Sequence, residues 1–246
     1  MGFKFSLIWI VRISCYTMWM NQQQAWNQEY QNAQGVPTST RTTPSSAIKR
    51  LLDYIVEHKL EVGKDAIDLG CGIGRNALYL ADQGYHVMAV DFAESALEKF
   101  RDKLEDSPQA QRISLKQMNL AKKLPFPDNS FDLATDIVTT MTLTPDELPG
   151  FEAELRRVVR PNGLFLTYVL SADDGFLEAT APGKSATTVE ESGITDNYLS
   201  EAQLRKLYKD WEVLEMNKIE KLDHFYGKNY MRRIWWILLR NHKEQP

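Results

Sequence analysis

The residues best suited to do chemistry surround a short glycine-rich segment, GCGIG, at positions 70–74. Glycines let a backbone approach a ligand closely, and a helix that opens after such a loop offers it free N–H groups. Asp68 lies just before the segment, where its carboxylate would repel a pyrophosphate but suits an ammonium or sulfonium group. Asp91, at the predicted end of the next strand, can accept two hydrogen bonds from a ribose diol, with a helix N-cap as its alternative role. The pattern predicts a nucleoside ligand that also carries positive charge.

Two classes of ligand compete for this loop. A dinucleotide site favours the spacing G-x-G-x-x-G, in which the third glycine allows a helix to pack tightly on a strand. This chain has G-x-G-x-G instead, and Ala77 stands at the later position. An NAD-dependent oxidoreductase is therefore the less favoured alternative.

Alternating strands and helices from residue 64 onward must position these residues. Five runs have the character of buried strands: DAIDLG, YHVMAVDF, RISLKQMNL, FDLATDIV and LFLTYVLS. Helices are predicted over residues 75–83 and 94–104, and Gly84 can end the first of them. This alternation predicts an α/β fold, a Rossmann-like doubly wound, mostly parallel sheet with helices on both faces. The final runs, WEVLEMNKIEKLDHF and YMRRIWWILLR, predict an antiparallel pair that closes the sheet.

Two Thr-Pro pairs are predicted to begin helices. Thr43 would cap a helix that has Pro44 in its first position and an apolar face beyond it. The tetrapeptide TPDE at 144–147 has the sequence of a capping box, which predicts a helix from there to about Val159.

The chain is predicted to consist of a leader and polar arm over residues 1–44 and one domain over residues 45–246. Within the domain, residues 172–199 show no sustained periodicity and are predicted to be a lid-like insertion. Residues 21–44 are rich in Gln, Asn, Ser and Thr, which predicts a loosely held arm.

The leader is an apolar run that Arg12 interrupts, and it is shorter than the roughly 20 residues of a stable membrane span. Gly2 and a serine four residues later match a pattern for N-myristoylation. The favoured explanation is that translation begins at Met18 or Met20.

Composition limits the partners of the chain. A net charge of −4 over 246 residues does not favour binding to nucleic acid. The two cysteines, Cys15 and Cys71, predict no disulfide framework and fit a reducing cytoplasm. The four histidines lie far apart, so no metal is expected.

The stretch DLGCGIGRNALYLADQGYHVMAVDFAESAL, followed by LPFPDNSFDLA, resembles the class I S-adenosylmethionine-dependent methyltransferases over roughly residues 45–170. The resemblance implies S-adenosylmethionine as the cofactor, with Asp68 near its methionine amine, Asp91 on its ribose and Phe92 on its adenine. Asn119 stands where the family usually has an Asp, and its amide oxygen can still accept from the adenine amino group. The cofactor-binding residues implied are Asp68, Gly70, Cys71, Gly72, Gly74, Asp91, Phe92, Asn119, Leu120 and Asp136.

The same resemblance implies methyl transfer to a small-molecule acceptor, a displacement at carbon that depends mostly on alignment. Candidate substrate-binding residues are Thr139 and Thr140 after the fourth strand, and Tyr30 in the polar arm. Tyr30 and Trp26 would either cover the cofactor as a lid or simply pack on the domain.

The catalytic residue is not identified by the sequence. His224 and Tyr226, between the last two strands, are candidates for a base or anchor, with a plain surface turn as the alternative. A non-catalytic S-adenosylmethionine-binding partner of another protein is the alternative function, and the oligomeric state is not predicted.

Overall fold

The computed structural model describes residues 22–33, 35–190, 192–225 and 227–243, without the side chains of residues 37 and 225. The predictions for the leader, including Gly2 and the start at Met18 or Met20, lie outside these residues. The candidate residue Tyr226 lies outside them as well.

A seven-stranded sheet forms the centre of the domain. Its strands are β1 (Asp65–Leu69), β2 (His86–Asp91), β3 (Ile113–Gln117), β4 (Phe131–Ile137), β5 (Val159–Leu170), β8 (Glu212–Phe225) and β9 (Lys228–Arg240). They are ordered β3-β2-β1-β4-β5-β9-β8. The first five strands pair in parallel, whereas β9 pairs antiparallel with both β5 and β8. The predicted doubly wound sheet with an antiparallel closing strand is confirmed.

Helices cover both faces of the sheet. Residues 22–32 form α1, and the others are α2 (Pro37–Thr40), α3 (Ser46–Glu57), α4 (Arg75–Asp82), α5 (Glu94–Glu105), α6 (Leu148–Val158), α7 (Gly175–Thr180) and α8 (Glu201–Leu207). Alternate strand residues pack on opposite faces, so that Ala66 joins the core with α3, α4 and α5 while Ile67 joins the core with α6 and α8. Within the described residues, no helix is both long and apolar enough to cross a membrane.

Both predicted helix starts are shifted toward the C-terminus. α3 is capped by Ser45, whose hydroxyl accepts from the Ala47 N–H, rather than by Thr43. α6 begins at Leu148 because the Thr144 hydroxyl and N–H both donate to the Glu147 carboxylate, which closes a turn before the helix. The capping sequence at 144–147 therefore forms a turn rather than the first turn of a helix.

The segment predicted as a loosely held arm contains a packed helix. In α1, the Gln23 side chain donates to the Phe92 carbonyl at 2.8 Å, and Asn27 accepts from the Ser95 N–H at 3.0 Å. Tyr30 is buried, and its carbonyl accepts a hydrogen bond from Lys99. Polar residues of this helix make hydrogen bonds to the domain. Composition alone does not show that the polar side chains have these partners.

The insertion over residues 172–199 also has structure of its own. It contains α7 and a two-stranded antiparallel pair, β6 (Ala186–Thr188) and β7 (Thr195–Asn197). Asp174 caps α7. Both of its carboxylate oxygens accept a hydrogen bond from the Nε of Arg232, at 3.0 and 2.9 Å. This ion pair is almost wholly buried and joins the insertion to β9.

Candidate active site

Three glycines shape the loop between β1 and α4. Their φ angles are 70° at Gly70, 54° at Gly72 and 84° at Gly74, a region that L side chains rarely adopt. A Cβ on Gly70 would lie 2.2 Å from the Thr139 side chain, and one on Gly74 would lie 2.1 Å from the Phe100 ring. Both the backbone conformation and these protein neighbours therefore require glycine.

Tyr30 of α1 takes the space above Gly72. A Cβ on Gly72 would lie 2.6 Å from the Tyr30 hydroxyl oxygen. Burial, with a further contribution from Asp91, raises the pKa of Tyr30 well above its usual value, so the hydroxyl stays protonated and can donate. The Trp26 and Tyr30 rings lie 5.8 Å apart, and both line the same cavity at the loop.

Asp91 ends β2 and holds the loop in place. Its carboxylate oxygens accept from the N–H groups of Gly72, at 2.8 Å, and Ala93, at 2.9 Å. Burial raises the pKa of Asp91 to about 6, which leaves the group ionised at neutral pH. The N-cap of α5 is Ala93, so Asp91 does not take the alternative role as helix cap.

Asp68 lies beneath the loop and is 1% exposed. One carboxylate oxygen accepts from the Thr135 hydroxyl at 2.8 Å, and the other has no hydrogen-bond partner among the described residues. Burial raises the pKa of Asp68 to about 6. A buried carboxylate oxygen without a donor is costly, and a cationic ligand group or a bridging water above it would relieve that cost.

These elements enclose what we call the loop cavity, about 880 Å³ of space including its mouth. The predicted residues that line it are Tyr30, Gly70, Cys71, Gly72, Asp91, Phe92, Asn119, Leu120 and Thr139. Asp68, Gly74, Asp136 and Thr140 do not line it. The structure thus brings together residues from the first four strand ends and from the arm.

The Asn119 side chain already makes a hydrogen bond within the protein. Its side-chain oxygen accepts from the Ala121 N–H at 2.8 Å and closes a tight turn. A carbonyl oxygen has a second lone pair, so it can still accept a ligand hydrogen bond.

Asp136, which the resemblance implies as a cofactor-binding residue at the end of β4, does not line the loop cavity. It is fully buried, and its carboxylate accepts from the N–H groups of Thr139 and Thr140 and from the hydroxyls of Thr140 and Thr167. The carboxylate therefore holds the turn after β4, and the Thr140 hydroxyl donates its hydrogen to this carboxylate.

Val138 follows β4 with a φ of 57°. A β-branched residue in this region is strained, and such strain is characteristic of functional sites. The Val138 N–H donates to the Tyr168 carbonyl at 2.9 Å, which holds the residue in place. Val138 lines the loop cavity and also a second cavity beside it.

The second cavity, here called the arm cavity, lies between the arm, the end of β4, β5 and the closing hairpin. Its charged lining residues are Arg41, Arg75, Asp196, Lys221, Asp223 and Arg232. Trp26, Thr38, Arg75, Ile137 and Val138 line both cavities, so the two meet. Arg75 directly follows the glycine loop and could have been suspected from the sequence, whereas Asp196 lies in an irregular segment that gives no such signal.

His224 is exposed, and its Nδ1 lies 3.0 Å from the Asn229 side-chain oxygen. It lines neither cavity, although Lys221 and Asp223 of the same strand line the arm cavity. Successive residues of a strand point to opposite faces, so His224 and Asp223 face different sides of β8.

Two further observations limit the chemistry. Cys71 is buried, and burial raises the pKa of its thiol well above the usual value, which keeps the thiol protonated and poorly nucleophilic. Among the described residues, no group of three or more His, Cys, Asp or Glu side chains is arranged to hold a metal ion.

Residues 67–167 match a family model described as a methyltransferase domain. A demethylmenaquinone methyltransferase of Desulfitobacterium hafniense is 37% identical over 125 residues, 49% of this chain and 46% of that protein. An uncharacterized methyltransferase of Synechocystis is 33% identical over 103 residues, 42% of this chain and 45% of that protein. The chain spans about half the length of the curated relatives it matches.

A solved structure supports the same fold. The 1,6-didemethyltoxoflavin-N1-methyltransferase of Burkholderia thailandensis, with bound 1,6-didemethyltoxoflavin and S-adenosylhomocysteine, superposes with a TM-score of 0.69 at 17% identity. The superposition covers 92% of this chain and 89% of that one. Residues 67–167 of this chain therefore form a methyltransferase domain, and the fold around them is that of the solved methyltransferase structure.

Proposed function

We propose that this protein transfers the methyl group of S-adenosylmethionine to a small-molecule acceptor bound in the arm cavity. The observation that carries the proposal is the shared wall of the two cavities, formed by Trp26, Thr38, Arg75, Ile137 and Val138. A cofactor in one cavity and an acceptor in the other would lie next to each other at these five residues. Bringing two reactants into contact in a fixed orientation accounts for much of the catalysis of such a reaction.

The loop cavity fits the cofactor. In this proposal the ribose hydroxyls bind Asp91, whose two carboxylate oxygens accept from the N–H groups of Gly72 and Ala93 and have lone-pair capacity for further donors. The amine of the methionine part would be matched by the unpartnered oxygen of Asp68, reached through a bridging water because Asp68 does not line the cavity. Phe92, Asn119 and Leu120 would surround the adenine. When bound, the cofactor supplies a methyl group that its sulfonium already activates.

The kind of acceptor is supported by the relatives. The names of the demethylmenaquinone and 1,6-didemethyltoxoflavin enzymes describe small organic acceptors. The net charge of −4 and a cavity lined in part by the arm and the insertion fit such an acceptor better than nucleic acid. A cytoplasmic location, suggested by the cysteine content, stays a prediction.

Calorimetry tests the cofactor site directly. The wild type should bind S-adenosylmethionine and S-adenosylhomocysteine but not NAD. Asp91→Asn should weaken both affinities roughly 10- to 100-fold, the value of hydrogen bonds to a charged group. The matched control is Asp102→Asn, an exposed carboxylate on α5, which should change nothing. A preference for NAD, or no binding at all, would contradict the proposal.

Methyl transfer is measured with cofactor labelled in its methyl group and the low-molecular-weight filtrate of a cell extract as the source of acceptors. Labelled small molecules should appear with the wild type and not without protein. Tight cofactor binding with no transfer to any filtrate would instead support a non-catalytic binding partner.

A further inference from the structure

Asp196 is a buried carboxylate that receives no hydrogen bond from the described residues. It is 9% exposed and lines the arm cavity. No hydrogen bond or ion pair joins its carboxylate to the described part of the chain. Burying an unpaired carboxylate is costly, so a chain that keeps one facing a cavity has a use for it.

The neighbours of Asp196 fix its position. Thr195 exchanges hydrogen bonds with the Gln22 side chain of α1, at 3.0 Å to its N–H and 3.2 Å to its hydroxyl. The Asn197 side chain donates to the carbonyls of Met141 and Leu143, at 3.0 and 2.9 Å. Asp196 is therefore held between the arm and the turn after β4, and that turn lines the loop cavity through Leu143.

The charges around Asp196 come from several elements. The titratable and charged groups that face it or share its cavity are Arg41, Arg75, Tyr168 of β5, Asp174 at the N-cap of α7, Lys221 and Asp223 of β8, and Arg232 of β9. Asp223 is paired with Arg41 and Lys221, at 3.5 and 3.0 Å. Arg232 is neutralised by its ion pair with Asp174, and Arg41 and Lys221 share the carboxylate of Asp223. With Arg75 and Asp196 the lining keeps a small excess of positive charge, which favours negative charge on a bound molecule.

The protonation of Asp196 suits proton transfer near neutral pH. Burial raises its pKa to about 7, against the attraction of Arg232 and with some repulsion from Asp174. A base with a pKa near the working pH can accept a proton and release it again.

We propose that Asp196 is the general base of the reaction and that the nucleophile of the acceptor is a hydroxyl group. This inference rests on the proposed function. The acceptor oxygen forms a bond to the methyl carbon, the carbon–sulfur bond breaks with its electron pair remaining on sulfur, and the hydroxyl proton passes to Asp196. The cationic lining stabilises the negative charge that develops on the oxygen during this step. The product is a methyl ether.

The test compares the wild type, Asp196→Asn and the surface control Asp102→Asn. Each is given methyl-labelled S-adenosylmethionine and the same low-molecular-weight filtrate, between pH 5.5 and 9. The wild-type rate should rise with pH through about 7 and then level off, because only the ionised carboxylate accepts a proton. Asp196→Asn should lower the rate by roughly 100-fold or more and abolish the rise with pH. The control should match the wild type.

Two further measurements separate a base from a structural residue. By calorimetry, Asp196→Asn should bind S-adenosylmethionine with the wild-type affinity. The labelled wild-type product, analysed by NMR, should carry its new methyl group on oxygen.

The possible failures are distinguishable. An Asp196→Asn variant that keeps the wild-type rate, one that loses cofactor binding, or a product methylated on nitrogen or carbon would overturn the inference and leave the proposed function standing. A wild type that binds no cofactor or labels no small molecule would overturn the proposed function, and the inference with it.

Discussion

The Thr135 hydroxyl donates a 2.8 Å hydrogen bond to one oxygen of Asp68, while the other oxygen of the same buried carboxylate receives none from the described residues. Thr135 is on β4 and Asp68 on β1, so this bond crosses between paired strands directly beneath the glycine loop. It orients the carboxylate and leaves its other oxygen without a donor among the described residues beneath the loop.

Asp68→Asn should weaken S-adenosylmethionine binding roughly 10-fold or more, because the ligand loses a counter-charge in a buried setting. Wild-type affinity should fall as the pH drops below about 6, where Asp68 becomes protonated and neutral. Calorimetry from pH 5 to pH 8 measures both effects. Because the pKa of Asp91 is also about 6, the Asn variant should lose only the part of the pH dependence that Asp68 contributes. An unchanged affinity in that variant would show that Asp68 does not serve the cofactor.

Gly72→Ala should destabilise the protein by about 1–3 kcal/mol and weaken cofactor binding. The new Cβ would lie 2.6 Å from the Tyr30 hydroxyl, and φ is 54°. Adding Tyr30→Phe removes the clashing oxygen and should restore part of the stability, although not the cost of the backbone conformation.

Gly84→Ala is the matched control for Gly72→Ala. Its φ is 88°, but nothing lies within 4 Å of the added Cβ, so it should cost only the backbone term of about 1–2 kcal/mol. Urea unfolding of the four proteins, with cofactor affinity for each, separates the two terms. Equal losses at Gly72 and Gly84 would contradict a special role for the contact with Tyr30.

Arg232→Met should destabilise the protein by about 3–5 kcal/mol, because Asp174 would keep a buried charge without its partner. The double variant Asp174→Asn with Arg232→Met removes both charges and should recover much of the loss. Limited proteolysis within residues 172–199 should accelerate in the single variant only. Equal cleavage of all three proteins would show that the ion pair does not anchor the insertion.

Asp196→Asn should change stability in a pH-dependent way. The pKa of this carboxyl is about 7 in the fold and about 3.9 in an unfolded chain, so the folded wild type binds more protons in between. The wild type therefore loses stability as pH rises from about 4 to 7, by on the order of 4 kcal/mol from this group. The Asn variant should become more stable relative to the wild type over the same range, as measured by urea unfolding at each pH. An advantage that does not vary with pH, or one that Asp102→Asn shares, would contradict the assignment.

Val138→Gly should relieve backbone strain of about 1–3 kcal/mol, offset by the greater entropy that glycine has in the unfolded chain. It should also lower methyl transfer, because the residue forms part of the wall between the two cavities. Thermal unfolding and the filtrate assay measure the two effects. If the variant has a lower unfolding temperature than the wild type, the backbone strain at Val138 is smaller than the entropic cost of the glycine.

The parts of the site that the sequence made predictable are local ones. The loop, Asp68 and Asp91 follow from a strand, three glycines and a helix within one stretch of chain. Asp136 was misplaced because strand position does not show whether a carboxylate faces a ligand or the donors of its own turn. His224 was singled out by residue type, whereas the side of β8 that it occupies depends on register with β9.

Asp196 and the helix over residues 22–32 escaped notice for a different reason. Their positions depend on contacts with distant segments, such as Gln22 with Thr195 and Asn197 with Met141. No local period or motif encodes such contacts.

The arm cavity is built largely from residues outside 67–167, the segment that matches the family. The arm supplies Trp26 and Arg41, the insertion supplies Asp196, and the closing hairpin supplies Lys221 and Arg232. With the acceptor in the arm cavity, as proposed, substitutions in these three segments would remodel the choice of acceptor while the strand ends proposed to hold the nucleoside stay as they are. Acceptor preference can therefore diverge among descendants of one ancestral chain without a loss of the shared donor.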